Sequence, residues 1–258
     1  MPTLRPLPAL RDNYIWMLAD ATAGCALVVD PGAAKPVLDA LTGAGLRLST
    51  ILLTHHHADH IGGVPELARR YPDAAIYAPR DSRIPVATHR VADGDAIHVA
   101  PAADFTVIEV HGHTRTHVAY YGEGLLFCGD TLFSLGCGRV FEGTPAEMLA
   151  SLDRLAELPT TTQICCAHEY TLANGAFALS VEPGNHALQA RIRSARDLRA
   201  RNAPTLPALL ADELAANPFL RVDAMGDANI PWPTRFRPPP GRAARFAALR
   251  LAKDRFAA

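Results

Sequence analysis

Four histidines and an aspartate fall within six consecutive residues of the segment Thr54-His55-His56-His57-Ala58-Asp59-His60-Ile61-Gly62-Gly63. The segment follows the apolar run 51–53, so it predicts a loop that leaves the end of a buried strand. Neutral imidazole and carboxylate are the ligands that zinc and similar divalent ions prefer, and the His-x-His-x-Asp-His spacing offers at least four donors from one turn. A solvated histidine-rich loop or a tag remnant is the alternative, but the internal position favours a metal site.

The length and composition of the chain predict a folded globular protein. At 258 residues and 49% hydrophobic content, the chain can form one large domain, or a domain with a smaller appendage. No apolar stretch approaches the length that crosses a bilayer, and the N-terminus lacks a basic segment followed by an apolar one, so we expect a soluble cytoplasmic protein. The five cysteines include no Cys-x-x-Cys pair, and we expect reduced, mostly buried thiols.

Positive charge is concentrated toward the C-terminus. Residues 1–173 hold 12 Lys and Arg against 19 Asp and Glu, whereas residues 174–258 hold 13 against 7. A basic tail suits an anionic ligand, but a solvated helical surface or a nucleic-acid contact has the same composition. Charge alone leaves these interpretations open.

Alternating strand and helix signals predict an α/β fold. The predicted strands cover residues 14–18, 25–29, 50–53, 105–110, 117–121, 125–128 and 163–167, and the predicted helices cover residues 34–44, 64–71 and 144–158. Beyond about Ala173 the strand signal ends. Helical segments near 187–200, 206–215 and 242–251, with a proline-rich connector at 231–240, predict a helical appendage. We therefore predict two domains, 1–173 and 174–258.

Three further candidate ligands follow predicted strands. They are His113 after strand 105–110, Asp130 after strand 125–128 and His168 after strand 163–167. Because α/β proteins place their sites at one edge of the sheet, we expect these side chains to converge on the same site as the histidine-rich loop.

The motifs of this chain resemble those of the metallo-β-lactamase superfamily, and within it those of the hydroxyacylglutathione hydrolase (glyoxalase II) family. The resemblance covers nearly the entire chain, and Thr54–Gly63 is its superfamily motif. The motifs that point to the hydrolase are Asp12-Asn13-Tyr14, Gly112-His113-Thr114, Gly129-Asp130-Thr131-Leu132-Phe133, Gly138-Arg139-Val140-Phe141-Glu142-Gly143, His168-Glu169-Tyr170-Thr171, Asn217-Pro218-Phe219-Leu220-Arg221 and Lys253-Asp254-Arg255-Phe256. The resemblance implies an αβ/βα sandwich with a smaller helical C-terminal domain that covers part of the substrate cleft.

The resemblance also implies roles for individual residues. One divalent metal ion would be held by His55, His57 and His113, and a second by Asp59, His60 and His168. Asp130 would bridge the two ions, so Asp59 and Asp130 would act in catalysis through the metals. The substrate contacts implied by the resemblance are Arg139, Tyr170, Arg250 and Lys253. Phe141 stands where some relatives carry Tyr, which removes one possible hydrogen bond to the substrate.

The chemistry implied is thioester hydrolysis. Two ions that share one water lower its pKa to about 7, so a bridging hydroxide is available at neutral pH. We expect it to attack the thioester carbonyl of an acylated glutathione, S-D-lactoylglutathione in this family, to give D-lactate and glutathione in the second step of methylglyoxal detoxification. Because the leaving thiol has a pKa of about 8.5, no strong general acid is needed. Zinc is the expected metal, although iron and manganese tolerate the same ligands.

Other functions remain as alternatives. A mononuclear iron persulfide dioxygenase, a lactonase, a β-lactamase and an RNA-processing nuclease share the fold, and a non-catalytic metal sensor or scaffold is the alternative from another class. The complete second ligand set and the Lys253-Asp254-Arg255-Phe256 ending favour the dinuclear hydrolase. We expect a monomer that acts on a small molecule, without a nucleic-acid or membrane partner.

The remaining histidines are not predicted as metal ligands. His56 is predicted to point away from the metals. His111 and His117 are predicted to be packed or solvent-facing, or to support the ligands. Structural roles are predicted for His89, His98 and His186.

Overall fold

The computed structural model describes residues 2–99, 103–225 and 241–256. The chain forms two compact units, one of Met1–Glu109 with Thr116–Gly129 and one of Val110–Arg115 with Asp130–Ala258. The predicted proline-rich connector at 231–240 lies outside the described residues. Within the described part of the chain, no helix has both the length and the hydrophobicity needed to span a membrane.

The first unit contains a six-stranded sheet in the order β1-β2-β3-β4-β5-β6. Its strands are β1 (Thr3–Ala9), β2 (Asn13–Asp20), β3 (Cys25–Val29), β4 (Arg47–Leu52), β5 (Ala75–Pro79) and β6 (His89–Val91). The β1-β2 and β2-β3 pairs are antiparallel, and the remaining pairs are parallel. All of β3 is buried, as expected for an interior strand whose sequence is a continuous apolar run.

Strand β1 was not predicted, because Pro6 and Pro8 interrupt its pattern. The structure places it at the edge of the sheet, where it pairs only with β2. An edge strand tolerates proline, since the missing N–H groups do not interrupt a central ladder.

The connections of this sheet are helical. Helix α1 (Ala34–Ala44) joins β3 to β4, and α2 (Ala58–Ile61) and α3 (Val64–Arg70) lie between β4 and β5. Apolar side chains of α1 and α3, among them Val37 and Leu67, are fully buried in one core with residues of the sheet. The parallel order therefore places the loop after β4 at the carboxyl end of a buried strand, as predicted for the histidine-rich segment.

The first unit also contains an antiparallel meander. Its strands β7 (Ala96–Val99), β8 (Ala103–Glu109), β9 (Val118–Gly122) and β10 (Leu125–Gly129) pair in chain order. The two-residue turn between β9 and β10 has positive φ at both Glu123 and Gly124, at 53° and 72°, the backbone conformation of a tight hairpin turn.

The second unit is mostly helical. It contains the short strands β11 (Leu132–Phe133), β12 (Gly136–Cys137), β13 (Gln163–Cys166) and β14 (Ala208–Leu209), and the helices α4 (Pro145–Ala156), α5 (Thr171–Val181), α6 (His186–Ala200), α7 (Leu210–Ala216) and α8 (Arg242–Arg255). Helix α4 begins at the predicted position, with Thr144 and Glu147 forming a reciprocal capping box.

Two predictions for this unit need correction. The predicted helix at 206–215 begins only at Leu210, because residues 208–209 pair with β13 as β14. Helix α5 was not predicted, since its sequence TLANGAFALSV has an apolar character all round and a glycine in the middle.

Candidate metal centre

The histidine-rich segment of the first unit brings four donor side chains into one turn. It leaves β4 and enters the short helix α2, with His57 as the residue before the helix. His55 Nε2 lies 3.0 Å from His57 Nδ1, and His60 Nε2 lies 3.5 Å from Asp59 Oδ2. The rings of His55 and His60 are 4.1 Å apart. Nitrogen and carboxylate donors thus converge as a divalent metal ion requires.

Asp30, at the end of β3, organises this turn. Its buried carboxylate accepts hydrogen bonds from the Thr54 N–H at 2.8 Å and from the Thr54 hydroxyl at 2.7 Å. It also lies 3.0 Å from His60 Nδ1. Ligand atoms of Asp30, His55 and His60 all lie within 4.8 Å of one another, and all three residues are buried.

These contacts fix which ring nitrogen can bind a metal. A carboxylate oxygen accepts hydrogen bonds, so His60 Nδ1 donates its proton to Asp30 and Nε2 keeps its lone pair. The Thr54 hydroxyl donates to Asp30, and it therefore accepts from His55 Nδ1, which lies 3.0 Å away. The Nε2 atoms of both rings are therefore unprotonated, and each can give its lone pair to a metal ion. Histidine ligands in metal sites are supported by this arrangement.

Asp59 is oriented by a neighbouring strand. The amide of buried Asn13, at the start of β2, donates to Asp59 Oδ2 at 3.2 Å and to the Asp59 carbonyl at 3.3 Å. Gly32 passes close to the same residue, and a Cβ at position 32 would lie 1.8 Å from the Asp59 carbonyl oxygen. Only glycine allows the loop after β3 to pack this closely on the backbone of Asp59.

In the second unit, His113, Asp130 and His168 converge on one another. The Asp130 carboxylate lies 3.4 Å from His113 Nε2 through one oxygen and 3.3 Å from His168 Nε2 through the other. All three side chains are buried. His113 Nδ1 lies 2.8 Å from the Arg139 carbonyl oxygen and donates to it, which again leaves Nε2 as the donor to a metal.

The other histidines have different surroundings. His56 Nδ1 lies 3.5 Å from Asp81 Oδ2, and the hydrogen bonds from Arg83 hold the pKa of Asp81 well below its usual value. His117 is fully buried and stacks on His55, with ring centroids 4.6 Å apart. His89 stacks on the Tyr77 ring at 4.5 Å.

The predicted substrate residues all belong to the second unit. Tyr170 stacks on His168 with parallel rings 4.7 Å apart, and Phe141 is 61% exposed with its ring 5.2 Å from that of His113. Lys253 is half-buried on α8, and its ammonium donates to the Ala173 carbonyl at 3.2 Å. Aromatic side chains thus adjoin two of the predicted ligands.

Arg250 and Arg139 meet around Asp254. Arg250 is buried, and its guanidinium donates to the Cys137 carbonyl at 2.8 Å and to Asp254 at 2.9 Å. Arg139 is exposed, with Nε 3.7 Å from the same carboxylate. Arg250 therefore contributes its charge from inside the fold, while Arg139 presents its charge at the surface.

The thiols have no part in this donor set. All five cysteines are buried, and none forms a disulfide within the described part of the chain, as predicted. Burial raises the pKa of the Cys137 thiol to about 11, against the opposing effect of Arg250. A neutral thiol is a poor metal ligand.

Asp30 and Asn13 were not predicted as functional residues. The signal for Asp30 was its position directly after a continuous apolar strand, which is the same signal that identified His113 and His168. It was missed because Asp30-Pro31-Gly32 also has the composition of an ordinary turn.

Comparison with known proteins assigns residues 10–256 to two family models. Residues 10–168 match the metallo-beta-lactamase superfamily, and residues 169–256 match the hydroxyacylglutathione hydrolase C-terminus. A protein of Xylella fastidiosa (strain 9a5c) named hydroxyacylglutathione hydrolase is 53% identical over 253 residues, which cover 98% of this chain and 97% of that protein.

Solved structures show the same fold. BLEG-1 B3 metallo-beta-lactamase aligns over 85% of this chain and 99% of its own, with a TM-score of 0.63 and 22% identity. TTHA1623, solved in a di-iron-bound form, aligns over 64% of this chain and 91% of its own, with a TM-score of 0.55 and 27% identity. The predicted α/β class with a metallo-β-lactamase fold is confirmed. The chain belongs to the hydroxyacylglutathione hydrolase family of the metallo-β-lactamase superfamily.

Proposed function

We propose that this chain is a thioester hydrolase that converts S-D-lactoylglutathione to D-lactate and glutathione. The observation that carries the proposal is the match of almost the full chain to a hydroxyacylglutathione hydrolase, together with the predicted donor set in the sequence. The test is to follow hydrolysis of this thioester and, in parallel, oxygen uptake with glutathione persulfide. Oxygen uptake without hydrolysis would favour a persulfide dioxygenase instead.

We propose that the two groups of donors together hold two divalent ions. His55, His57 and His113 would bind one ion, Asp59, His60 and His168 the other, and Asp130 both. One support is that the Nδ1 contacts of His55, His60 and His113 leave the Nε2 lone pair of each ring available to a metal ion. Another is the di-iron-bound form of the relative TTHA1623. Zinc suits imidazole and carboxylate donors best, although iron and manganese tolerate them.

The residues have distinct tasks in the reaction. When bound, the ions supply hydroxide at neutral pH and a Lewis acid for the carbonyl oxygen. Asp59 and Asp130 place their carboxylates within the donor set, and Asn13 holds Asp59 in position. The parallel stack of Tyr170 on His168 fixes the plane of that imidazole. The thiolate departs without a strong general acid, because a thiol with a pKa of about 8.5 is already a tolerable leaving group.

We further propose that residues 174–258 form the glutathione-binding domain and residues 1–173 the metal domain. Glutathione carries two carboxylates, and Arg250 and Lys253 of the binding domain, with Arg139 of residues 1–173, supply the opposite charge. The match of residues 169–256 to the hydrolase C-terminus supports this assignment. The proposed ligand set is complete within one chain, and the described cysteines are buried without disulfides, so we propose a monomer in the reducing cytoplasm.

Replacement of Lys253 by alanine should raise KM for S-D-lactoylglutathione about 5- to 30-fold and change kcat less, since the ammonium binds a part of the substrate that does not react. The measurement is steady-state kinetics of Lys253→Ala. The control is the same measurement on Lys35→Ala, which changes the other lysine of the chain. Lys35→Ala removes a side chain that is 83% exposed and whose ammonium pairs with Asp39 on α1, and it should leave KM unchanged. An unchanged KM in Lys253→Ala would refute the contact.

The same lysine should make KM depend on pH. Burial first, and then the charges of Arg250 and Arg139, lower the pKa of Lys253 below its ordinary value. A lowered pKa means that the ammonium loses its charge at a lower pH than an exposed lysine does, so KM should begin to rise earlier on the alkaline side. Lys253→Arg keeps its charge over this range and should flatten the rise.

Replacement of Phe141 by tyrosine should lower KM about 2- to 10-fold and leave kcat unchanged, because the added hydroxyl supplies one hydrogen bond to the substrate. The ring is exposed, so the hydroxyl has room. Initial rates over a range of substrate concentrations give both constants. Phe141→Leu, which adds no hydroxyl, serves as the control, and a KM that stays the same in Phe141→Tyr would contradict the expectation.

A further inference from the structure

The hairpin of β11 and β12 joins two of the proposed site residues. Asp130 lies two residues before β11, and Arg139 lies two residues after β12. The turn between the strands is Ser134-Leu135, and Leu135 has φ of 59° in the left-handed region. A branched side chain rarely adopts this conformation, so contacts from elsewhere must hold the turn.

Glu213 of α7 holds the turn from one side. It is fully buried, and one carboxylate oxygen accepts from the Ser134 hydroxyl at 2.7 Å while the other accepts from the Leu135 N–H at 2.7 Å. Arg191 also donates to the Ser134 hydroxyl oxygen, at 3.1 Å. The carboxylate thus binds the backbone of the residue whose conformation is costly.

Asn217, one helical turn further along, holds both strands of the hairpin. Its amide donates to the Phe133 carbonyl of β11 at 3.1 Å and to the Gly136 carbonyl of β12 at 2.9 Å. Glu213 Oε2 lies 3.1 Å from the same nitrogen, so the two N–H groups of the amide are shared among three acceptors and the two side chains form one buried network.

Burial of the Glu213 carboxylate costs desolvation free energy. Desolvation raises the pKa of Glu213, against the hydrogen bonds of Ser134 and Leu135, and an apolar side chain at position 213 would pack α7 without this cost. The hydrogen bonds of this network go to the β11–β12 hairpin. The second strand of the hairpin also provides the Cys137 carbonyl, which accepts a hydrogen bond from Arg250 at 2.8 Å.

We propose that Glu213 and Asn217 are positioning residues for the reaction, which fix the β11–β12 hairpin and thereby place Asp130, Arg139 and Arg250. The inference rests on the proposed function, in which these three residues bind metal or substrate. Neither Glu213 nor Asn217 contacts the reacting atoms. They act through the backbone of residues 133–137.

The test is Glu213→Gln, which keeps the size of the side chain but replaces one acceptor oxygen by an amide group. At equal metal content, kcat/KM for S-D-lactoylglutathione should fall about tenfold, because small displacements of reacting groups are costly. In a titration of the metal-free protein with zinc and a competing chelator, the free zinc concentration at half loading should rise about tenfold.

The matched control is Asn185→Ala. Asn185 caps α6 through the Leu188 N–H at 3.1 Å and donates to the Ala215 carbonyl of α7 at 3.0 Å, so its loss disturbs the same helix without touching the hairpin. Its loss costs about 1 kcal/mol of stability, and both site measurements should stay within about twofold of the wild type.

Equal behaviour of Glu213→Gln and Asn185→Ala in both measurements would overturn the positioning role. If Glu213→Gln fails to fold, Ser134→Ala gives the same test, since it removes one donor to Glu213 and leaves the carboxylate in place. A wild-type protein that binds zinc but does not hydrolyse the thioester would count against the proposed function alone, while the zinc titration would still decide the positioning role.

Discussion

Replacement of Asp130 by asparagine is expected to lower kcat/KM for S-D-lactoylglutathione at least about 100-fold and to reduce the metal content of the purified protein. The two carboxylate oxygens of Asp130 face different histidines, His113 at 3.4 Å and His168 at 3.3 Å. Asparagine offers one neutral oxygen and one amide group that cannot coordinate. The variant therefore loses one of the two contacts that a bridging ligand needs.

The measurement combines steady-state kinetics with metal analysis of the same sample. Asp39→Asn provides the control, because its carboxylate is exposed on α1 and pairs only with Lys35. A variant at position 130 that kept both its activity and two ions per chain would refute the bridging role.

Replacement of Asp30 by asparagine should weaken metal binding about 10- to 100-fold, although Asp30 is not proposed as a ligand. Oδ2 of Asp30 accepts from both the Thr54 hydroxyl and His60 Nδ1, whereas Oδ1 accepts from the Thr54 N–H. In asparagine an amide group at the Oδ1 position would face the Thr54 N–H, and one at the Oδ2 position would face both the hydroxyl and His60 Nδ1. With the amide group at the Oδ2 position, His60 would have to accept at Nδ1 and carry its proton on Nε2, where the metal is proposed to bind. The loss follows from the tautomer, as in other sites where a carboxylate orients an imidazole.

Asparagine is the appropriate substitution at this position. Asp30 has φ of 50°, a conformation that asparagine tolerates and alanine does not. The experiment is a zinc titration of the metal-free protein, with Asp20→Asn as a control that alters only a turn. Equal zinc affinity of Asp30→Asn and the wild type would show that Asp30 does not set the tautomer of His60.

The sequence predicted the elements that depend on local pattern. The loop after β4 could be predicted from a continuous apolar strand followed by clustered donors, and helix α4 from the helical pattern at 144–158. The resemblance of the motifs added the family, which is confirmed. What could not be predicted depends on which residues meet in the folded chain.

Arg250 illustrates that limit. A basic residue on a charged helix is expected at the surface, yet Arg250 is buried, with its guanidinium 5.2 Å from the centre of the Phe219 ring. The partners that satisfy it, Cys137 and Asp254, lie 113 and 4 residues away in the sequence. Asp30 is similar, because its role depends on Thr54 and His60, which lie 24 and 30 residues further along the chain. Local periodicity carries no signal for such distant pairs.

We propose above that this chain hydrolyses a glutathione thioester with a centre of two metal ions. The measurement that tests it most directly follows S-D-lactoylglutathione in one cuvette, through loss of the thioester and release of free thiol, with protein whose metal content is known. With about two ions per chain, we predict that the thioester is lost and free thiol is released at equal rates. Both reactions should stop after chelation of the metal and resume after zinc is restored. No turnover in protein that carries two ions per chain would contradict the claim.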